Sequence, residues 1–255
     1  MSIIRQTDPD LAAAPLVGQA ELWPPGSMAP HHHQRHQLMY AATGVVHVLT
    51  AVGEWVLPPS RAIWISGSTE HELIAKRHTD TRVLYIDTST YQMPVGEYCV
   101  VIGVTPLVRE LISACTELPW DYQVESPEGR LAQVLIDQIR ALHQDSADLP
   151  LPSDPRALRI VDILRREPAN REPLSELASR VGASPRTIER LFQKDTHLSF
   201  GIWRQRMRLL IAIERLAYGE SVTNVALDVG YESASSFVAA FRSVFGNTPA
   251  RYFKT

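Results

Sequence analysis

Residues 174–194, LSELASRVGASPRTIERLFQK, set the fold of the C-terminal half of this chain. Leu174, Leu177, Ala178 and Val181 recur at helical spacing, and Gly182 then breaks the pattern. Ser184 is placed to cap a second helix. Pro185 follows at its first position, where a missing N–H leaves nothing unsatisfied. In that helix Ile188, Leu191 and Phe192 share one face, and Arg186, Glu189, Arg190 and Gln193 share the other. A helix with a packed back and a polar, guanidinium-bearing front suits the major groove of DNA. Residues 222–246, VTNVALDVGYESASSFVAAFRSVFG, repeat the grammar. Ala178, Val181 and Gly182 return 48 residues later as Ala226, Val229 and Gly230, with one residue more before the cap, Ser233. Phe237, Phe241, Val244 and Phe245 are the expected buried face of the last helix. Between the two units, FGIWRQRMRLLIAIERLAYG predicts a helix near 199–218, with Ile202, Leu209, Ile213 and Leu216 on an apolar stripe. About 20 residues at roughly 1.5 Å each span roughly 30 Å. Successive major-groove faces on one side of B-DNA lie roughly 34 Å apart, so one chain is expected to place two reading helices in adjacent turns.

These residues carry a family resemblance. LASRVGASPRTIERLF (177–192), then Arg208, Leu209 and Ala212, resemble the DNA-binding domain of the AraC/XylS family of bacterial transcription regulators. So do the Gly230-Tyr231-Glu232-Ser233 turn, Phe237, Phe241 and the closing GNTPARYF. The resemblance covers roughly the last 100 residues. The expected DNA contacts are Arg186, Thr187, Glu189, Arg190 and Gln193 from the first unit, and Ser233, Ser235, Ser236 and Arg242 from the second. The second helix is short of long polar side chains, with Ala239 at its middle. Base reading is therefore expected to concentrate under the first helix, with the second gripping phosphate.

The whole chain is compatible with that assignment. At 255 residues it can hold two domains with real cores. Hydrophobic content of 45% and charged content of 21% are ordinary for a soluble protein. No apolar run approaches the roughly 20 residues of a membrane span. The opening MSIIRQTDPDL lacks the basic and apolar blocks of a secretory signal, so a cytoplasmic protein is expected. Cys99 and Cys115 show no metal spacing and are expected to be half-buried free thiols. The net charge of −3 is unevenly distributed: residues from Asp154 onward hold 16 Lys+Arg against 11 Asp+Glu, and the preceding part holds 9 against 17. A positive end and a negative end agree with phosphate contact at one end only.

The N-terminal half reads differently. Residues 1–16 form an expected loose arm. Short strands are predicted at 17–23, 37–42, 45–50, 54–57, 62–66, 71–75 and 82–87, broken by Gly, Pro and Ser, which suggests a small barrel or jelly roll. The densest chemistry is HHHQRHQ at 31–37. From an extended segment His31, His33 and Gln37 point the same way, while His32 and His36 have the opposite parity and are expected to be exposed. Gly26, His31, His33, Gln37 and Gly44 resemble the first cupin motif. Ser66, Ser68 and His71 stand where the second has Pro, Gly and His, so Ser replaces a glycine and Gln37 a glutamate. The resemblance implies an effector pocket of His31, His33, Gln37, Trp64 and His71. Three imidazoles and a carboxamide can also ligate a divalent metal, so His31, His33, Gln37 and His71 are candidate metal ligands; polar lining of a metal-free pocket is the alternative. WVLPPSRAIWI (55–65) also resembles a subgroup of cupin-bearing AraC-type regulators. Trp64 is as compatible with a core as with the pocket, and Arg61 with an ordinary salt bridge as with an anionic effector.

Helices are predicted at 104–118 and 129–143. Val104, Leu107, Val108, Leu111, Ile112 and Cys115 form the first apolar stripe, and Leu131, Val134, Leu135, Ile139 and Leu142 the second. Such stripes pack on the barrel or on a second subunit, which makes a homodimer one expectation. SADLPLPSDP (146–155) reads as a linker between a cupin-like sensor, 1–145, and an all-α DNA-binding domain, 156–255 with two helix-turn-helix motifs. The expected whole is an α+β two-domain, non-enzymatic regulator that binds double-stranded promoter DNA and answers to a small-molecule or metal effector. A cupin metalloenzyme, dioxygenase or isomerase, accounts for the histidines but not the doubled motif. A sequence-tolerant architectural DNA binder would grip phosphates with little preference between sequences.

Overall fold

The computed structural model describes residues 8–51, 53–91, 99–142, 144–145 and 148–253. The first seven residues of the expected arm, the end of the second predicted helix at 143, and linker positions 146 and 147 lie outside the described residues. The described residues form two compact units. One runs up to 145 and the other from 148 to 252, with 53 and 54 counted in the second.

The first unit contains β1 (Leu16–Trp23), β2 (Gly26–His31), β3 (His36–Thr43), β4 (Val46–Thr50), β5 (Gly53–Leu57), β6 (Arg61–Ile65), β7 (His71–Ala75), β8 (Thr79–Ile86) and β9 (Cys99–Gly103). The helices α1 (Pro106–Thr116) and α2 (Pro127–Ala141) and the short β10 (Gln144–Asp145) follow. One sheet has the order β1-β8-β3-β6-β9-β10, and a second contains β5-β4-β7-β2. The fold is thus a jelly-roll sandwich of two sheets, and the expected barrel is not a closed ring. Besides the two-residue β10, two strands were not legible from the pattern: GSMAPH looks like a breaker, and CVVIG is too short an apolar run to tell strand from helix.

Burial explains the strand sequences. The strands β3, β6 and β8 are covered on both faces and read as continuous apolar runs, LMYA, AIWI and VLYI. The strand β7 alternates buried and half-buried residues, as one-sided burial demands. Register divides the first sheet. Gln37 lies opposite Tyr85 and Ile65, so these share a face. Leu38 lies opposite Trp64 and Leu84 on the other face, and Leu84 opposite Gly18. A Cβ on Gly18 would come within 3.2 Å of the Thr116 Cα, so this second face is the one that α1 covers. Helix α1 starts on Thr105, whose hydroxyl accepts the Val108 N–H, with Pro106 at the first helical position. Its buried positions are Val108, Leu111, Ile112 and Cys115, whereas Leu107 is exposed; in α2, Val134 is exposed and Ala132 and Ile136 are buried instead. The expected α1 stripe therefore holds except at Leu107, and the expected α2 stripe was rotated by about one residue.

The second unit contains β11 (Asp148–Pro150), α3 (Pro155–Arg166), α4 (Leu174–Arg180), α5 (Pro185–Thr196), α6 (Phe200–Ala217), α7 (Val222–Asp228), α8 (Ala234–Phe245) and α9 (Pro249–Tyr252). Its two halves repeat at atomic detail. After α4 the chain turns at Gly182, φ +69°, and Ala183 N donates to Ala178 O at 2.9 Å. After α7 it turns at Gly230, φ +90°, and Tyr231 N donates to Ala226 O at 2.9 Å. Ala178 and Ala226 are fully buried, where only a small side chain lets the paired helices approach.

Helix α6 corrects the expected stripe. Ile202 is exposed and Leu216 half-buried; the buried residues are Phe200, Trp203, Met207, Leu209, Leu210, Ala212 and Ile213. A stripe at one face assumes one partner. This helix packs on α5 near its start and on α7 near its end, so two faces are apolar. Phe192 of α5 meets Phe200 and Trp203 edge-on, with ring centroids 5.2 and 5.1 Å apart.

Candidate nucleic-acid interface and polar pocket

In the first unit the structure gathers His31, His33, Gln37 and His71. The ring centroids of His31 and His71 are 4.4 Å apart, and those of His33 and His71 5.4 Å. Gln37, fully buried, lies between two of them: its Oε1 is 2.7 Å from His33 Nε2 and 3.1 Å from His71 Nε2. Each ring sets its Nδ1 against a main-chain carbonyl, His31 on Ala29, His33 on Arg35 and His71 on Thr69, at 2.9, 2.6 and 2.8 Å. A carbonyl only accepts, so Nδ1 carries the hydrogen and a neutral ring keeps its lone pair on Nε2. With Oε1 inward, both rings facing Gln37 must be protonated, and two buried imidazolium rings this close repel. Neutral rings require the amide turned so that its NH2 donates to both. On its far side the amide has a buried atom, Nε2 as placed, with no hydrogen-bond partner among the described residues. Among those residues, no group of three or more His, Cys, Asp or Glu side chains is arranged to hold a metal ion. The Gln37 amide stands between the His33 and His71 Nε2 atoms, so for both rings to bind one ion the amide would have to move.

Two sequence expectations fail here for one reason. Trp64 lies on the opposite face of the sheet from Gln37, is 1% exposed, and does not join the cluster. His36 has the opposite parity, as expected, but its face is covered. Its ring sits 5.0 Å from Trp64, and burial lowers its pKa against the raising effect of Asp87. Parity separates two faces; it does not say that either is wet. Ser68, standing in for a motif glycine, does take the left-handed region, φ 63°, and its N–H donates to His33 O at 2.7 Å. Arg61 donates to the Ser60 carbonyl. Both cysteines are free, and burial pushes each thiol up to about 12.

In the second unit α5 and α8 present the predicted fronts. Ile188 and Phe192 are fully buried, while Arg186, Arg190 and Gln193 are exposed beside Lys194. With Glu189 these side chains line an open hollow of about 530 Å³. In α8, Phe237 and Phe241 are buried, and Ser235, Ser236, Ala239 and Arg242 are exposed; Val244 is half-buried rather than buried. Two predicted contact residues are N-caps or serve them: Ser233 accepts the Ser236 N–H at 3.1 Å, and Thr187, whose N–H is accepted by Ser184, also shares a hydroxyl contact with it at 2.9 Å. Ser236 Oγ donates back to Ser233 O. Glu189 is half-buried, and its carboxylate accepts the Phe200 N–H at 3.3 Å, so it serves the start of α6.

The arginines of this unit fall into two groups. Arg156, Arg171, Arg180 and Arg215 pair with carboxylates, and Arg204 and Arg208 donate to carbonyls. Arg186, Arg190 and Arg242, on the two reading helices, have no hydrogen bond or ion pair among the described residues, as is also the case for the exposed Arg159, Arg166 and Arg251 outside those helices. A guanidinium left unpaired on an exposed helix face is free for an external anion.

A family model described as a helix-turn-helix domain matches residues 177–255. The HTH-type transcriptional regulator NimR of Escherichia coli K12 is 32% identical over 222 residues, which cover 87% of this chain and 81% of that protein. The chain belongs to the AraC/XylS family of transcription regulators. The regulatory protein SoxS of Escherichia coli K12 is 35% identical over 77 residues, 30% of this chain and 72% of that protein. Among solved structures, ToxT from Vibrio cholerae O395 is 11% identical, with 94% of this chain and 97% of that chain covered at a TM-score of 0.40.

In this AraC/XylS-family chain several residues had no legible signal. Tyr85 stacks edge-on with His33 at 5.1 Å, and only the β3–β8 register brings it there. Asp10 accepts the N–H groups of Gln34 and Arg35, and the Arg35 guanidinium donates to Ala12 O and Ala14 O, so residues 10–14 are strapped beside the cluster. Lys194, exposed and four residues after Arg190, shares the front of α5, a position that helical spacing alone gives. No helix among the described residues is long and apolar enough to cross a membrane.

Proposed function

We propose that this regulator reads promoter DNA mainly through α5, grips phosphate and reads the few bases within reach of Arg242 through α8, and answers to an effector held at the His33–Gln37–His71 cluster. It acts in the cytoplasm and is not an enzyme. The carrying observation is the exposed, internally unpaired pair Arg186 and Arg190 on a helix whose back is fully packed. A guanidinium that reaches a guanine edge bidentately discriminates by about 1–3 kcal/mol. Ser235 and Ser236 are short, suit phosphate and read few bases, which leaves Arg242 as the side chain of α8 that reaches a base edge. Binding-site selection from random DNA with the full chain tests this. A recovered site with information concentrated in one half supports it. A phosphate-dominated binder would recover no preferred sequence and lose affinity with salt equally on all DNA.

For the pocket, the buried Gln37 amide atom without a partner supports an effector that brings one complementary hydrogen bond, since leaving such an atom unsatisfied costs about 1–3 kcal/mol. The three Nδ1 atoms seated on carbonyls favour a second reading, a divalent cation taken by the Nε2 atoms once Gln37 swings aside, because metal-bound imidazoles are oriented in this way. A thermal-shift screen of small polar compounds, Zn²⁺ and Ni²⁺ separates the two. Ions that stabilise the wild type but not His71→Ala favour the metal; compounds that stabilise it but not Gln37→Leu favour the small molecule. Leu107 and Val134, exposed on α1 and α2, are where we place a homodimer contact. Sedimentation of the wild type against Leu107→Glu reads it.

A further inference from the structure

We infer that Arg208 is a positioning residue: its guanidinium fixes the second reading helix against the first, so that the protein discriminates the spacing between two half-sites. This rests on the reading that both α5 and α8 meet DNA. Arg208 lies half-buried in the middle of α6. Its Nε donates to Pro168 O at 2.9 Å and its Nη2 to Asn170 O at 2.6 Å. One turn earlier, Arg204 Nη1 donates to Glu172 O at 2.8 Å. Alternate carbonyls of residues 168–172 therefore face α6, and this segment leads directly into α4, the first helix of the first helix-turn-helix.

The second helix-turn-helix reaches the same guanidinium from another side. A Cβ on Gly230 would come to 2.9 Å from Arg208 Nη2 and 3.0 Å from the Ala169 Cα. Gly230 opens the turn into α8, and the Tyr231 ring beyond it meets Phe237 of α8 edge-on at 5.3 Å. One side chain is thus held between the lead-in of the first helix-turn-helix and the turn of the second. This junction ties the two reading helices in addition to α6 itself. Arg171 and Glu232 bridge the same two segments at 3.6 Å, but at 59% and 86% side-chain exposure that pair adds little.

An arginine is needed for this geometry. Two carbonyls at fixed separation match the planar fork of a guanidinium, whereas a lysine is a single flexible point of charge. No carboxylate hydrogen-bonds to or pairs with Arg208 among the described residues, and burial, with the like charge of Arg204 next, holds its pKa below the ordinary guanidinium range. The charge therefore gains little from being there. What the residue supplies is direction: two acceptors on one flank and a side-chain-free turn on the other leave it one pose.

The test uses the full chain and the bipartite site recovered by selection with the wild type. Adding one base pair between the half-sites moves the second by about 3.4 Å and about a tenth of a turn. The wild type should favour its own spacing by about tenfold or more, the size of the one base contact that Arg242 loses when the second half-site moves. In Arg208→Lys the preference should fall to within about twofold, the scatter of independent sites. Affinity for an isolated first half-site should stay as in wild type. Gly230→Ala, which pushes on the guanidinium while retaining it, should do the same, and carries the test if Arg208→Lys does not fold. Folded variants that keep the wild-type spacing preference overturn the inference. So does an equal loss on the isolated half-site and the full site, which marks a merely structural role. A wild type that selects no sequence overturns the regulator reading and this one together; a wild type that selects a sequence but tolerates any spacing overturns only this one.

Discussion

Glu189 and Arg190 are neighbours on one helix, both were expected to face DNA, and their surroundings give them different work. The Glu189 carboxylate accepts the Phe200 N–H, whereas Arg190 has no partner among the described residues. Glu189→Ala should therefore lower stability by about 0.5–2 kcal/mol, the usual range for a lost helix cap, and leave the selected DNA sequence unchanged. Arg186→Ala or Arg190→Ala should do the reverse, keeping the melting temperature and relaxing base preference in one half-site by about 1–3 kcal/mol. Selection and thermal melts on the three variants check both halves; a change of selected sequence in Glu189→Ala would return that residue to the interface. The cysteines obey a similar local logic. Burial pushes both thiols up to about 12, so at pH 8 on the order of one in ten thousand is a thiolate. Native protein should react with a thiol reagent far more slowly than the same protein in guanidinium, and equal rates would contradict the burial. Helical spacing tells which side of α5 a residue is on. It cannot tell that Phe200, eleven residues later, needs an acceptor, so the exposure of Arg190 was legible and the hydrogen bond of Glu189 was not.

At the scale of elements, the doubled unit was legible because its signals are local: a cap, a proline behind it, a glycine 48 residues from its counterpart. The α6 stripe was not, because its two faces answer to partners distant in sequence. The same holds in the jelly roll. His31, His33, Gln37 and His71 share a face by simple parity, but Tyr85 joins them and Trp64 leaves them only through strand register. Repeats also conceal differences that space alone decides. Gly182 and Gly230 both have positive φ, yet a Cβ at Gly182 meets nothing within 4 Å, while one at Gly230 meets Arg208 and the Ala169 backbone. Gly182→Ala should cost about 1–2 kcal/mol, the strain of a left-handed alanine. Gly230→Ala should cost more, since the neighbour must also give way. Chemical denaturation of the two variants measures the gap, and equal losses would mean that the junction yields freely.

Across the whole molecule, the charge split and the proline-rich stretch marked a boundary, but the structure refines what belongs to the second unit. The indole of Trp203 is fully buried, and its Nε1 donates to Pro150 O at 2.8 Å. Ser153 donates to Asp195 Oδ2 through both its N–H and its hydroxyl, each at 2.8 Å. A fragment starting at 154 keeps every helix of this unit yet leaves the Trp203 N–H without its acceptor, a loss of about 1–3 kcal/mol. A fragment 148–255 should therefore melt higher than 154–255, and both should bind the selected site if the DNA-binding surface is self-contained. The advantage has two parts with different pH behaviour. The Trp203–Pro150 bond does not titrate. The Ser153 bonds, backbone first and side chain second, hold the Asp195 carboxyl below its usual range. A depressed carboxylate contributes stability above its unfolded pKa and loses it as pH falls through the folded value, so this part should fade below about pH 4. At neutral pH Asp195→Asn in the longer fragment should remove the titrating part alone. Thermal melts of the two fragments and this variant between pH 3 and 7 decide it. If the two fragments melt alike at pH 7, residues 148–153 are connection and nothing more; if the difference persists unchanged at pH 3, it comes from Trp203 and Asp195 has no share in it.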